Sequence, residues 1–247
     1  MKTIILCAGY GKRMQPYSST YQKGMLPIHG KPLLEYIITG LIYANLRDLI
    51  LVVGYRKEQV INYFKDGKQW NANIEYIEQK ELNGTGGAVL LCEKLIKNNH
   101  FFLVWGDILV PYKTYKMVYD IFKKEQHDFI LVSNYKEDLS RGGAIYCDGD
   151  YCLEIVEKEP KTKGTSNLNN CGIFILSREI FEVLKLLEPS KRGEIEIPSA
   201  INKGIREKSW KIFVAKLDKD IFRGDFGDKK IYEELKSNSK WLDKLDV

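Results

Sequence analysis

The chain has 247 residues, 44% of them hydrophobic, which is enough for a full buried core and typical of a single α/β domain. Its 38 basic and 33 acidic residues leave a formal net charge of +5 scattered along the chain, so the dense basic stripe of a nucleic-acid-binding surface is excluded. No apolar run approaches the ~20 residues that span a bilayer, and the N-terminus moves straight into a strand instead of a signal peptide; the expectation is a cytoplasmic protein with no membrane partner.

Periodicity predicts, in chain order, a strand at 3–7, a helix at about 31–44, a strand at 48–53, a helix at about 57–65 and a strand at 74–77. A helix at about 86–97, a strand at 101–105 and a helix at about 112–124 follow. This alternation argues for a mostly parallel sheet with ligands gathering at the strand carboxyl ends. The next stretch changes character, with strands at 128–134, 143–147, 151–157 and 170–176 and a hairpin turn at Asp148-Gly149-Asp150. Helices near 178–188 and 196–207, a strand near 210–216 and a lysine-rich tail helix at about 228–245, interrupted near Ser237-Asn238-Ser239, complete the pattern. No linker rich in Pro, Gly and Ser separates the halves, so one domain over 1–247 is expected, with a nucleotide-binding half (about 1–125), an acceptor-binding half (about 126–233) and a C-terminal helix.

The first strand breaks into Cys7-Ala8-Gly9-Tyr10-Gly11-Lys12-Arg13-Met14, and Lys23 follows shortly after. A strand ending in a glycine turn with cations just beyond it suits an oligophosphate: Gly9 and Gly11 let backbone N–H groups approach, while Arg13 and Lys23 add charge. A dinucleotide fingerprint would need a third glycine where Met14 stands and an acid at the end of the second strand, which instead reads Gly54-Tyr55-Arg56. A P-loop fails too, because Gly30-Lys31 precedes Pro32 and Gly67-Lys68 precedes Gln69, where a Ser or Thr is required. The five cysteines, Cys7, Cys92, Cys147, Cys152 and Cys171, are odd in number and lack paired metal-ligand spacing, so they read as reduced core thiols. His29, His100 and His127 fall at loop-like positions and read as surface or structural.

Taken in order, Leu6–Pro16, Lys23-Gly24-Met25-Leu26-Pro27-Ile28 and Gly30-Lys31-Pro32-Leu33-Leu34-Glu35-Tyr36 resemble the signature of the sugar-phosphate nucleotidyltransferases. Gly84-Thr85-Gly86-Gly87-Ala88, Trp105-Gly106-Asp107, Val156-Glu157-Lys158-Glu159-Pro160, Asn170-Cys171-Gly172-Ile173 and Asp225-Phe226-Gly227 are similar to its later blocks, so the resemblance runs from about residue 1 to about residue 233. It implies a Rossmann-like three-layer α/β/α nucleotidyltransferase fold with a mixed, mostly parallel central sheet. It also implies that an NMP passes from a nucleoside triphosphate to a phosphorylated small molecule with release of pyrophosphate, and that Mg2+ (or Mn2+) is the cofactor.

The resemblance assigns roles residue by residue. Arg13 and Lys23 would hold the phosphates, and Asp107 and Asp225 would hold the metal; these four form the expected catalytic set. Leu6, Ala8, Gly9, Gly11, Arg13, Lys23, Gln79, Gly84 and Thr85 would line the nucleotide, with Gln79 reading a pyrimidine edge through an amide that both donates and accepts. Gly143, Glu157, Lys158 and Asn170 would bind the acceptor. Similarity within the family points to CTP as donor and L-glutamine phosphate as acceptor, in capsular polysaccharide modification. A hexose- or heptose-1-phosphate acceptor, giving a nucleotide sugar, is the alternative, and a non-catalytic nucleotide-binding regulatory subunit is the reading from another class. A homo-oligomer is compatible with all three. The chain departs from the family where Gly142-Gly143 replaces Tyr-Gly, where Glu159 is inserted before Pro160, and where Asp228-Lys229-Lys230 replaces a Thr-Pro-type turn. These departures leave the acceptor open. The expected convergence of Asp107 and Asp225, far apart in sequence, is the sharpest structural test.

Overall fold

The computed structural model describes residues 1–139, 142–157 and 166–246. Strand β1 (Lys2–Cys7) leads through two single turns of 3-10 helix, Lys12–Met14 and Tyr17–Ser19, to a third at Lys23–Met25. The two-residue strands β2 (Pro27–Ile28) and β3 (Lys31–Pro32) then precede α1 (Leu33–Tyr43), β4 (Asp48–Val53), α2 (Lys57–Phe64), β5 (Asn73–Glu78) and α3 (Thr85–Leu90). Next come β6 (His100–Trp105), β7 (Ile108–Leu109), α4 (Tyr112–Glu125), β8 (Phe129–Tyr135), β9 (Gly143–Asp148), β10 (Tyr151–Glu157) and β11 (Leu168–Ser177). The chain ends with α5 (Ile180–Lys185), α6 (Ile197–Lys208), β12 (Ile212–Lys216), β13 (Gly224–Asp225) and α7 (Lys229–Ser237). This is an α/β fold with a mixed sheet. No helix among the described residues is long and apolar enough to cross a membrane.

The expected elements recur at nearly the expected places, and three helices are shorter for local reasons. The helix expected at 86–97 stops at Leu90, and residues 91–95 continue as turns in which Cys92 N–H reaches Val89 O and Leu95 N–H reaches Cys92 O. The helix expected at 178–188 ends at Lys185, just ahead of Glu188-Pro189, where the residue before a proline is pushed out of helical geometry. The tail helix stops at Ser237 because Asn238 turns extended, at φ −133° and ψ 121°, within the Ser-Asn-Ser interruption.

The chain forms two compact units, each assembled from separated stretches: Met1–Leu82, Val104–Tyr119 and Phe222–Val247 in the first, Asn83–Leu103 and Asp120–Ile221 in the second. The boundaries differ from the expected halves because packing gathers residues by their partners and not by their order. Residues 83–103 pack with the second unit, and the C-terminal segment packs with the first.

In the first unit, β1 pairs in parallel with β4 from Lys2↔Asp48 to Cys7↔Val53, and β4 pairs in parallel with β5. Side chains such as Ile4, Ile5, Ile50, Leu51 and Val52 are fully buried, as expected of parallel strands read as continuous apolar runs. The C-terminal segment is fastened here as well: Tyr232 OH donates to Pro27 O at 2.8 Å, Trp241 Nε1 donates to Leu235 O at 2.8 Å, and the Trp241 ring stacks on Phe222. In the second unit, β8 pairs in parallel with β12 and antiparallel with β11, and the β9–β10 hairpin runs antiparallel from Tyr151↔Asp148 to Glu157↔Gly143. The sheet is mixed, as expected, with the antiparallel pairs of the second unit in the stretch where the sequence pattern changed.

Candidate functional site

All four residues of the expected catalytic set lie in the first unit, where β1 ends in the glycine turn. Gly11 takes the left-handed conformation (φ 63°, ψ 38°) and starts the Lys12–Met14 turn, with Met14 N–H on Gly11 O at 2.8 Å. A Cβ built on Gly9 would meet no described atom within 4 Å, so this backbone is open to a ligand. Met14, in place of the dinucleotide glycine, is fully buried. The end of β1 is also a crowded backbone crossing: Leu6 O accepts from Gly106 N–H at 2.9 Å and Ala8 O from Tyr55 N–H at 3.0 Å. Side chains at 106 or 54 would clash there, since a Cβ on either would stand 2.8 Å from those carbonyl oxygens.

Lys23 and Asp107 meet directly, Nζ to Oδ2 at 2.5 Å, with their side chains only 21% and 19% exposed. Partial burial makes this charge-assisted contact stronger than a surface pair. Asp225 arrives by a route the sequence pattern did not disclose. The two-residue strands β7 and β13 pair antiparallel, setting Asp225 opposite Ile108, and Phe226 N–H donates to Asp107 O at 2.9 Å. The backbones of the two acids are thus neighbours across one short ladder. Gly227 N–H donates to Asp225 Oδ1 at 3.0 Å and Arg223 Nη1 to Oδ2 at 3.3 Å, which fix the second carboxylate. Arg13 reaches the same place: a Cβ on Gly227 would stand 2.8 Å from Arg13 Nη2 and 3.0 Å from Asp225 Oδ1. Three cationic side chains therefore gather around two carboxylates.

Sequence reasoning missed the residues that hold this loop in place. Gln22 is almost fully buried; its Nε2 donates to Cys7 O at 2.5 Å, its Oε1 accepts from Gly24 N–H at 2.5 Å, and its own N–H donates to Gln59 Oε1 at 2.7 Å. It ties the end of β1 to both sides of Lys23. Tyr55 OH donates to Ser18 O at 3.1 Å, Arg56 Nη2 to Ser19 O, and Gln59 Nε2 to Thr20 O at 2.8 Å. The only sequence signal for these braces is their place just after a parallel strand. At the end of β1, burial pushes the Cys7 thiol up to about 12 against the opposing pull of Lys23, which disfavours its thiolate.

Gln79 is buried directly after β5, with its N–H on Val53 O at 2.8 Å and its carbonyl against Gly54. Gly84 and Thr85 belong to the second unit. There Gly84, at φ 99°, and Gly86 lie against protein, since a Cβ would stand 2.4 Å from Ile195 O at Gly84 and 2.7 Å from the Leu184 side chain at Gly86. Gly86 N–H donates to Ile195 O and Thr85 Oγ1 accepts from Ile197 N–H, so these glycines are required by the packing of the 194–197 segment.

Three of the four expected acceptor residues come together in the second unit. Gly143 and Glu157 are register partners, and a Cβ on Gly143 would stand 2.7 Å from Glu157 Oε1 and 3.3 Å from Asn170 Cβ. Asn170 Oδ1 accepts from Gly172 N–H at 2.9 Å, while its Nδ2 is buried without a hydrogen-bond partner among the described residues. Lys158 lies outside the described residues.

The nucleotidyl transferase family model matches residues 2–243. Over 203 residues the chain is 38% identical to the bifunctional protein GlmU of Methanococcus maripaludis, covering 82% of this chain and 46% of that protein. It spans about half the length of the GlmU proteins it matches. It is also 32% identical over 213 residues to the UTP–glucose-1-phosphate uridylyltransferase AglF of Haloferax volcanii, covering 83% of this chain and 84% of that one. Among solved structures it resembles a UDP-glucose pyrophosphorylase complexed with UDP-glucose, at a TM-score of 0.85 and 28% identity over 96% of this chain and 97% of that one. With its glycine turn, its lysine and its two aspartates falling within a match that covers nearly every residue, the chain belongs to the nucleotidyl transferase family.

Proposed function

We propose that this protein transfers a nucleoside monophosphate from a nucleoside triphosphate to a sugar 1-phosphate, making a nucleotide sugar, with UTP as the favoured donor. The observation that supports this most is the Asp225↔Ile108 register, which makes two acidic residues neighbours beside Lys23 and Arg13. In this reaction a phosphate oxygen of the acceptor attacks the α-phosphorus, the bond to the β-phosphate breaks and pyrophosphate leaves. Such a displacement depends on positioning and charge neutralisation, so no side-chain nucleophile is needed. Lys23 would neutralise charge at the α-phosphate and Arg13 would hold the leaving β- and γ-phosphates. Asp107 and Asp225 offer the hard oxygen donors that suit Mg2+ or Mn2+, an ion that would add charge neutralisation at the phosphates. Among the described residues no three His, Cys, Asp or Glu side chains group as a metal cage, which agrees with an ion that takes one or two carboxylates and completes its shell with phosphate and water.

The sugar 1-phosphate reading replaces CTP and glutamine phosphate as the first choice because the similar proteins carry uridylyltransferase and UDP-glucose pyrophosphorylase names. An amide at position 79 serves either pyrimidine, so it does not separate UTP from CTP. One observation keeps the second reading alive: a Cβ on Gly142 would stand 2.1 Å from Asn169 Oδ1, and that amide is fixed by Nδ2 bonds to Asn134 Oδ1 and Asn170 O. The family's tyrosine could not stand there unless Asn169 moved. Pyrophosphate release, measured for UTP, CTP, ATP and GTP with Mg2+ against glucose 1-phosphate, N-acetylglucosamine 1-phosphate, a heptose 1-phosphate and glutamine phosphate, decides the matter. Release with a sugar 1-phosphate and UTP is expected; release only with CTP and glutamine phosphate overturns the choice of substrates, and triphosphate binding without release under any pairing overturns the transfer itself.

A further inference from the structure

The β9–β10 hairpin carries two of the five free cysteines at facing positions. Cys147 and Cys152 are direct register partners, one step from the Asp148↔Tyr151 pair that closes the Gly149-Asp150 turn. The closing pair of a two-residue hairpin exchanges its hydrogen bonds, so the next pair is the non-hydrogen-bonded kind, with Cα atoms roughly 4.5 Å apart and side chains on one face. That separation lies at the short end of the roughly 4.4–6.8 Å window a disulfide accepts. Beyond this pair the register shifts between Cys152 and Glu154, and the open end of the same hairpin holds Gly143 and Glu157.

We propose that Cys147 and Cys152 form a dithiol site that small disulfide compounds oxidise to an intrachain cross-strand disulfide. The Cys147 thiolate attacks one sulfur of the oxidant's disulfide and expels one thiol. Cys152 then loses its proton to solvent, attacks the Cys147 sulfur and expels the second thiol, so that two cysteine thiols are oxidised as one disulfide is reduced. The order follows from access: Cys147 is half-buried, whereas Cys152 is 4% exposed. Burial raises the Cys147 thiol against the opposing charge of Lys216, whose Nζ bonds Gly149 O at 2.7 Å and Asp150 Oδ1 at 2.9 Å, and Asp150 raises it further, so the exchange should be slow.

The test uses the whole folded chain treated with oxidised glutathione, then alkylated in denaturant and digested with trypsin. Peptide 142–158, which contains both cysteines, should lose two hydrogens and take up no alkylating agent, while Cys7, Cys92 and Cys171 are all alkylated. Cys152→Ser should trap glutathione on Cys147, and Cys147→Ser should leave Cys152 alkylated with no adduct. Full alkylation of all five thiols, a disulfide involving another cysteine, or a stable glutathione adduct on wild-type Cys147 would overturn the proposal.

Discussion

Lys23 pairs with Asp107, which holds the ammonium in a partly buried position. Removing one preorganised charge contact of this kind costs about 3 kcal/mol in the transition state, or roughly a hundredfold in rate. Lys23→Ala should therefore be nearly inactive in pyrophosphate release yet fold normally by circular dichroism; wild-type turnover would remove Lys23 from the catalytic set. Gly227→Ala probes Arg13 without touching it. The added methyl would stand 2.8 Å from Arg13 Nη2 and 3.0 Å from Asp225 Oδ1, so the guanidinium and the carboxylate must give way, and a misplacement of that size should lower kcat/KM roughly a hundredfold. An unchanged rate would mean that Arg13 need not stand there.

At the scale of elements, the site depends on short pieces more than on long ones. β7 and β13 have two residues each, too few to register as strands in a sequence pattern, yet their pairing joins the segment after β6 to the segment before α7. α7 is the frame for that second segment. Asp228 Oδ1 caps it by accepting from Lys230 N–H at 2.9 Å, and Tyr232 anchors it to Pro27. Asp228→Ala should cost about 1 kcal/mol of stability, as the loss of an N-cap does, and lower the Tm measured by calorimetry. Short pieces are also set by their packing at α3, which opens on glycines that fit against Ile195, although glycine is a poor helix former.

For the whole molecule, buried thiols contribute to its response to alkali. Burial raises Cys7 in the first unit and Cys152 in the second from 9.0 to about 12. Each holds its proton more tightly folded than unfolded, so this contribution to stability is complete below about pH 9 and declines as pH rises toward 12. Urea midpoints should be flat on the neutral side and fall across the alkaline range, and Cys7→Ala should make the alkaline fall less steep; a parallel fall in that variant would mean the Cys7 thiol is not responsible.

The alternation of β and α elements and the glycine turn with its nearby cations were legible in the sequence, because apolar period, glycine and charge act over a few neighbouring residues, whereas the roles expected of Asp107 and Asp225 came from the family resemblance. What tertiary structure alone decided was the meeting of residues far apart in the chain. Asp107 and Asp225 become neighbours through a two-residue ladder, Gln22 and Gln59 brace Lys23 through bonds to Cys7 and Thr20, and Gly143 gathers Glu157 and Asn170. The division into two interleaved units was illegible for the same reason. Pattern reports which face of an element is apolar, but only the folded register fixes which distant backbone that face meets.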